Sequence, residues 1–176
     1  IGSNIVEYLL KNKAGKVKVL DNLITGSYEN VELFLNNSDY QYIKGDLRDL
    51  EICRSACDGV DYILHQAALG SVPRSLKEPE LTNSINVDGF VNILVAAKDA
   101  NVKRIVYASS SSVYGDNKDL PQTEEKTGKP LSPYAVSKVV NELHAGVFCD
   151  NFNMQIIGLR YFNVFGPRQS PNGAYA

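Results

Sequence analysis

Arg104-Ile105-Val106-Tyr107-Ala108-Ser109-Ser110-Ser111-Ser112-Val113-Tyr114-Gly115 reads as a β-rich apolar strand running into a turn of serines. Open α/β sheets bind ligands at the carboxyl ends of their strands, so these hydroxyls stand where a site forms. Further on, Ser132-Pro133-Tyr134-Ala135-Val136-Ser137-Lys138 opens a helix. Tyr134 and Lys138 are four apart, which puts both on one helix face about one turn apart. A cation beside a phenol favours the phenolate, so Lys138 should draw the pKa of Tyr134 below its usual value of roughly 10. A phenol that loses its proton near neutral pH is a general base. Taken singly, a Tyr/Lys pair at this spacing is ordinary solvated surface and a serine run is an ordinary loop. Their combination carries the reading. A Ser, a Tyr and a Lys are what taking the proton from a hydroxyl requires while hydride leaves the same carbon.

Outward from this pair, strands and helices alternate. A helix over Ser3–Leu10 is followed by a short strand, Lys16–Leu20, that ends at Asp21-Asn22. A carboxylate at that place is where dinucleotide folds hold the adenosine ribose; it also favours NAD over NADP, because it would repel a 2′-phosphate. A polar stretch from Tyr28 to Leu35 has helical character. Tyr40–Gly45 is a second strand, ending at Asp46-Leu47, and Asp46 could accept from an adenine amino group. Arg48–Cys57 reads as a helix and Asp61–His65 as a third strand. The small residues of Gln66-Ala67-Ala68-Leu69-Gly70 let a cofactor lie close to the backbone. His65, in an apolar run at a strand end, reads as structural rather than catalytic. Val72–Ser75 begins a loop, and Pro79–Asn101 is one long helix whose apolar face is interrupted by Asn86, a donor to backbone or cofactor. A polar loop spans Asp116–Lys129, the Tyr/Lys helix runs over Tyr134–Phe148, and Met154–Arg160 is the last strand. Such alternation means βαβ units and a parallel sheet.

Composition agrees with one domain over residues 1–176: the chain is 44% hydrophobic and 22% charged. A net charge of -2 gives no bulk attraction to nucleic acid or to an anionic membrane. No apolar run approaches the roughly 18 residues of a membrane span. Cys53, Cys57 and Cys149 form no metal-binding or disulfide pattern, and the expected compartment is reducing, hence cytoplasmic. The first residue is not Met and both ends look cut.

In series, Tyr107–Asp116, Leu131–Tyr134 with Lys138, and Leu159-Arg160-Tyr161-Phe162-Asn163-Val164-Phe165-Gly166-Pro167 resemble the extended short-chain dehydrogenase/reductases that act on nucleotide sugars. Gly45–Asp49 and His65–Ala68 fit the same group, the NAD-dependent epimerase/dehydratase family. Ala68–Ser75, and Gly173-Ala174-Tyr175-Ala176 after Arg168-Gln169, are similar to its UDP-N-acetylglucosamine 4-epimerases. The resemblance implies a Rossmann-type doubly wound parallel sheet with NAD as cofactor and a UDP-sugar as substrate. It implies a homodimer at full length, with no nucleic acid or membrane partner and no metal. Tyr134 would be the acid and base on the sugar 4-hydroxyl, with Lys138 on the nicotinamide ribose and Ser110 on the sugar 4-oxygen. Gly2, Asp21, Asn22, Gly26, Asp46, Leu47, Gln66, Ala67, Ala68, Asn86 and Tyr161 would contact NAD, as would Tyr134 and Lys138. Ser71, Ser111, Ser112 and Asn163 would line the substrate site with Ser110 and Tyr134. The related 4,6-dehydratases carry Thr-Asp-Glu near Ser110, so the serines here disfavour elimination. Gly2 matches the last glycine of the family's fingerprint. On this reading the first strand, which would lie between the strands ending at Asp21 and Gln66, and the C-terminal substrate domain fall outside the chain. Three activities stay open beside UDP-N-acetylglucosamine/UDP-N-acetylgalactosamine interconversion: a UDP-glucose or UDP-glucuronate 4-epimerase, a UDP-glucuronate decarboxylase, and a non-catalytic NAD(H)-binding regulator.

Overall fold

The computed structural model of the chain describes residues 1–169. The Gly173–Ala176 motif lies outside the described residues. In chain order the elements are α1 (Gly2–Lys11), β1 (Val17–Asp21), α2 (Glu29–Glu32), β2 (Tyr40–Lys44), α3 (Leu50–Cys57), β3 (Tyr62–His65), α4 (Val72–Lys77) and α5 (Pro79–Asn83). A π-helical turn (Ser84–Asp88), α6 (Gly89–Asp99), β4 (Arg104–Ser110), a 3-10 turn (Ser111–Tyr114), α7 (Pro133–Phe152) and β5 (Ile156–Tyr161) follow.

Among the described residues all the strand pairs are parallel, in keeping with the alternation of elements. They form two sheets, β1-β2 and β3-β4-β5. The register aligns Asp21 with Lys44, His65 with Tyr107, and Ser110 with Tyr161. The candidate ligand residues therefore gather at carboxyl ends within each sheet. β1 pairs with β2 and β3 with β4, so each keeps an unpaired edge, and the sheet breaks where the sequence reading put it.

Apolar periodicity on α6 and α7 explains the main core. Phe90, Leu94 and Ala97 of α6 and Ala145 of α7 pack on Ile105 and Tyr107 of β4. A second cluster ties the two sheets together through helices: Cys53 and Cys57 of α3 meet Ile93 and Ala96 of α6, with Leu20 and Ile63 against them. Burial pushes these thiols up to about 12 for Cys53 and about 11 for Cys57, so they behave as apolar filler.

Several expectations change. Val72–Ser75 is not loop but the start of α4. The Ser71 hydroxyl accepts from the Arg74 amide, and Pro73 sits in the first turn where a missing N–H costs nothing. The long helix after Pro79 is interrupted by the π turn that carries Asn86. The helix before Cys57 starts at Leu50, because Asp49 caps it by accepting from Glu51 N and Ile52 N. Only one short turn, α2, forms in the Tyr28–Leu35 stretch. α7 extends past Phe148 to Phe152 and stops at Asn153, whose φ of 53° lies in the left-handed region. β5 consequently begins at Ile156 rather than Met154.

Candidate active site

Three elements meet at the end of β4. The strand delivers Ser109 and Ser110, the 3-10 turn carries Ser111 and Ser112, and α7 packs against both. α7 starts where it does because the Ser132 hydroxyl accepts from Ala135 N and Pro133 occupies the first turn. That start fixes Tyr134 in the first turn and Lys138 one turn later, on one face.

Lys138 is 2% exposed, and its Nζ donates to the Ala108 carbonyl at 2.7 Å. The same Nζ lies 5.9 Å from the centre of the Tyr134 ring. Burial lowers the Lys138 pKa to about 8, which still leaves the side chain mostly charged at neutral pH. The Ser110 Oγ accepts from Ser112 N at 3.1 Å and from Ser112 Oγ at 2.9 Å. A hydroxyl has two acceptor positions and one proton, so Ser110 keeps its proton to give to a ligand oxygen. Ser110, Tyr134 and Lys138 are thus brought to one place. His65 is buried against Phe90, with ring centres 5.2 Å apart, and burial holds its pKa down to about 3. It stays neutral, as a structural His should.

The residues assigned to the cofactor divide into those open to a ligand and those already engaged. Gln66 follows β3, and its Oε1 is buried without a partner, an acceptor aimed at no protein group. Asp21 is exposed at the end of β1, with Oδ1 accepting from Leu23 N at 2.7 Å. Asn22, Leu47, Ala68 and Tyr161 are half-buried, and Gly2, Gly26 and Ala67 are exposed. Asp46 is engaged: its oxygens accept from Arg48 Nε, Nη2 and backbone N and from Asn22 Nδ2. The Arg48 bonds hold its carboxyl well below the usual carboxylate range. An adenine amino group would have to displace one of these donors. Asn86 is 1% exposed; its Oδ1 accepts from Leu69 N, and its Nδ2 donates to Leu69 O and Ser137 Oγ. These bonds make Asn86 a donor to backbone and tie it to the loop after β3. Among the substrate-site residues, Ser111 and Ser112 flank Ser110 in the 3-10 turn, Asn163 is exposed beyond β5, and Ser71 is occupied as the cap of α4.

Two charged residues at this site escaped the sequence reading. Glu142 of α7 and Arg160 of β5 pair at 2.9 Å, and Ser109 Oγ donates to the same carboxylate at 2.5 Å. The signal that could have found Glu142 is its spacing: it continues the Tyr134, Lys138 face by another four residues.

An unpartnered glutamine oxygen just after β3, a carboxylate at the end of β1 and a buried Lys on α7 are groups that fit a dinucleotide. These features define the class: a Rossmann-type NAD protein. Residues 1–176 match the model of the NAD dependent epimerase/dehydratase family, and the chain belongs to that family. A putative UDP-glucose 4-epimerase of Methanocaldococcus jannaschii is 36% identical over 98% of this chain and 55% of its own. The UDP-N-acetylglucosamine 4-epimerase of Methanobrevibacter ruminantium M1, solved with UDP-N-acetylmuramic acid, is 40% identical with a TM-score of 0.90, covering 99% of this chain and 55% of that one. A UDP-glucuronic acid 4-epimerase from Bacillus cereus, solved with UDP-glucuronic acid and NAD, is 33% identical with a TM-score of 0.91, covering 99% and 57%. The chain therefore spans a little over half the length of these relatives. No helix among the described residues is long and apolar enough to cross a membrane.

Proposed function

We propose that the chain is the NAD-binding part of a nucleotide-sugar 4-epimerase, and that its substrate pair is UDP-N-acetylglucosamine and UDP-N-acetylgalactosamine. The observation that carries the reaction class is the buried Lys138, bonded to the Ala108 carbonyl beneath Tyr134 and beside the Ser110 turn. The substrate choice rests on the Ala68–Ser75 likeness and on the 40% identity to the Methanobrevibacter enzyme.

In the mechanism, Tyr134 takes the proton of the sugar 4-hydroxyl and gives it back after the sugar has turned over. Lys138 keeps a positive charge close to that phenol and so favours its ionised form. Ser110 donates its remaining proton to the sugar 4-oxygen and holds it in line with Tyr134. NAD, when bound, supplies the hydride acceptor and donor at C4. Asp21 would take the adenosine ribose, and Gln66 would satisfy its buried oxygen on the cofactor.

Side-by-side assays of the full-length protein with UDP-N-acetylglucosamine, UDP-glucose and UDP-glucuronate test this reading. Turnover of the N-acetyl sugar with the highest kcat/KM is expected. A preference for either other sugar overturns the substrate choice. Decarboxylation of UDP-glucuronate, or NAD binding with no turnover at all, overturns the epimerase.

A further inference from the structure

Glu142 and Arg160 stand outside the Ser/Tyr/Lys set yet touch every element that delivers it. Arg160 Nε and Nη2 donate to the two Glu142 oxygens at 2.9 Å each, a fork-on-fork pair. Ser109, next to Ser110, gives its hydroxyl proton to Glu142 Oε1. The remaining Arg160 nitrogen, Nη1, donates to the Glu124 carbonyl at 2.9 Å and so ties down the polar loop over 116–129. Its guanidinium lies 5.0 Å from the centre of the Tyr114 ring, in the 3-10 turn. Arg160 itself precedes Tyr161. The pair is well covered, with side-chain exposures of 18% for Arg160 and 25% for Glu142. Burial opposes charge on Glu142, but the Arg160 and Ser109 bonds overcome it and keep its carboxyl below the usual carboxylate range.

We propose that Glu142 and Arg160 are positioning residues: their forked pair fixes α7 against the ends of β4 and β5, and so holds Tyr134 and Lys138 in register with Ser110. The proposal rests on the epimerase reading for its kinetic consequence, though not for its structural one. The forked geometry explains why an ion pair suits this place. A single point contact lets a helix slide, whereas two parallel bonds fix both distance and orientation. Tyr134, Lys138 and Glu142 lie at successive positions i, i+4 and i+8 of α7, so a slip at Glu142 is a slip at Tyr134. Misplacement by about 1 Å can cost about 10²-fold in rate.

The charges alone predict something different. Glu142 lies about 12 Å from Tyr134 along the helix, at about 1.5 Å per residue. Through space, removing its negative charge would ease ionisation of the phenol, and removing the Arg160 charge would hinder it. A clamp predicts hindrance in both cases, because each variant lets Lys138 drift from the phenol.

The test uses the full-length protein and its Glu142→Gln, Arg160→Met and Arg160→Lys variants. The Tyr134 ionisation midpoint is read by ultraviolet titration, as the difference between each protein and the same protein carrying Tyr134→Phe. Thermal unfolding and kcat and KM for the UDP-sugar are measured alongside. The expected result is an upward shift of the midpoint in all three variants, with kcat down about tenfold or more and KM within about threefold. Arg160→Lys keeps the charge but not the fork, so its impairment separates geometry from field; it also replaces Arg160→Met should that variant not fold. Midpoint shifts of opposite sign in Glu142→Gln and Arg160→Met overturn the clamp. So does an unchanged midpoint with only a lowered Tm, or a wild-type Arg160→Lys. If the wild-type protein turns over no UDP-sugar, the epimerase reading fails while the midpoints still decide the clamp.

Discussion

An ammonium at 2% exposure costs stability, and the cost has a definite pH window. Lys138 titrates at about 8 when folded, against about 10.4 in an unfolded chain. Between those values the unfolded state binds the extra proton, so stability rises with pH there. Below about 8 the full penalty applies, about 3 kcal/mol for this shift, and above about 10.4 it is gone. The expected outcome for Lys138→Met in the full-length protein is a stability advantage relative to wild type that shrinks by about this amount between pH 8 and pH 10.4. Urea unfolding of both proteins across that range checks it; parallel stability curves would mean that Lys138 is solvated. What the penalty sustains is the charge beside Tyr134. Tyr134→Phe keeps the ring and its packing but removes the proton carrier. It should retain NAD and lower kcat by about 10²–10⁴-fold. Retention of more than about half the wild-type kcat, measured with the preferred UDP-sugar, would remove Tyr134 from the role of base.

At the scale of elements, the π turn at Ser84–Asp88 does what a regular helix could not. It presents Asn86 to the backbone N–H and C=O of Leu69 and to Ser137 of α7, joining the loop after β3 to the helix of Tyr134. Asn86→Leu fills nearly the same volume and leaves a buried N–H and a buried C=O without partners. At about 1–3 kcal/mol for each group, a loss of about 2–6 kcal/mol is expected from urea unfolding. A loss under about 1 kcal/mol would mean that the Leu69 loop re-forms its bonds elsewhere. The sequence announced much of this architecture but not its joints. The strand over Arg104–Ala108 was legible because its apolar residues, strand length and flanking turn agree, although β4 runs on through the first two serines to Ser110. Tyr134 and Lys138 were legible because helical spacing is local. The π turn within the long helix was not, because Asn86 bonds to Leu69, seventeen residues upstream in sequence. Nor was the start of α4, where a Ser cap and a Pro read equally well as a turn. Glu142 and Arg160 look like ordinary surface charges until the fold sets Arg160 beside Ser109 in the β4–β5 register.

For the molecule as a whole, the division of the sheet decides how the chain behaves by itself. The residues assigned to the adenosine end, Asp21 and Asp46, lie at the end of β1 and just past β2, whereas those assigned to the nicotinamide end lie on β5 (Tyr161) and on α7 (Tyr134 and Lys138), which packs on β4 and β5. The cluster of Cys53, Cys57, Ile93 and Ala96 with Leu20 and Ile63 holds the two sheets together by side-chain packing rather than by a strand ladder. Meanwhile Leu64, Val106 and Ile157 form one row across β3, β4 and β5, and Leu64 and Ile157 are 42% and 44% exposed. Leu159 and Tyr62, at 40% and 63%, extend the same open face. An open apolar sheet face beside unpaired edges on β1 and β3 invites association between copies. Residues 1–176 made alone should therefore self-associate and unfold without one sharp transition. Because a dinucleotide would have to order two sheets at once, saturable NAD binding should be absent below about 1 mM, where binding would supply only about 4 kcal/mol. Sedimentation velocity, a thermal scan and calorimetric titration with NAD on this segment provide the check. A monomer with a single cooperative transition and micromolar NAD affinity would show that helix packing alone makes the two sheets one rigid body.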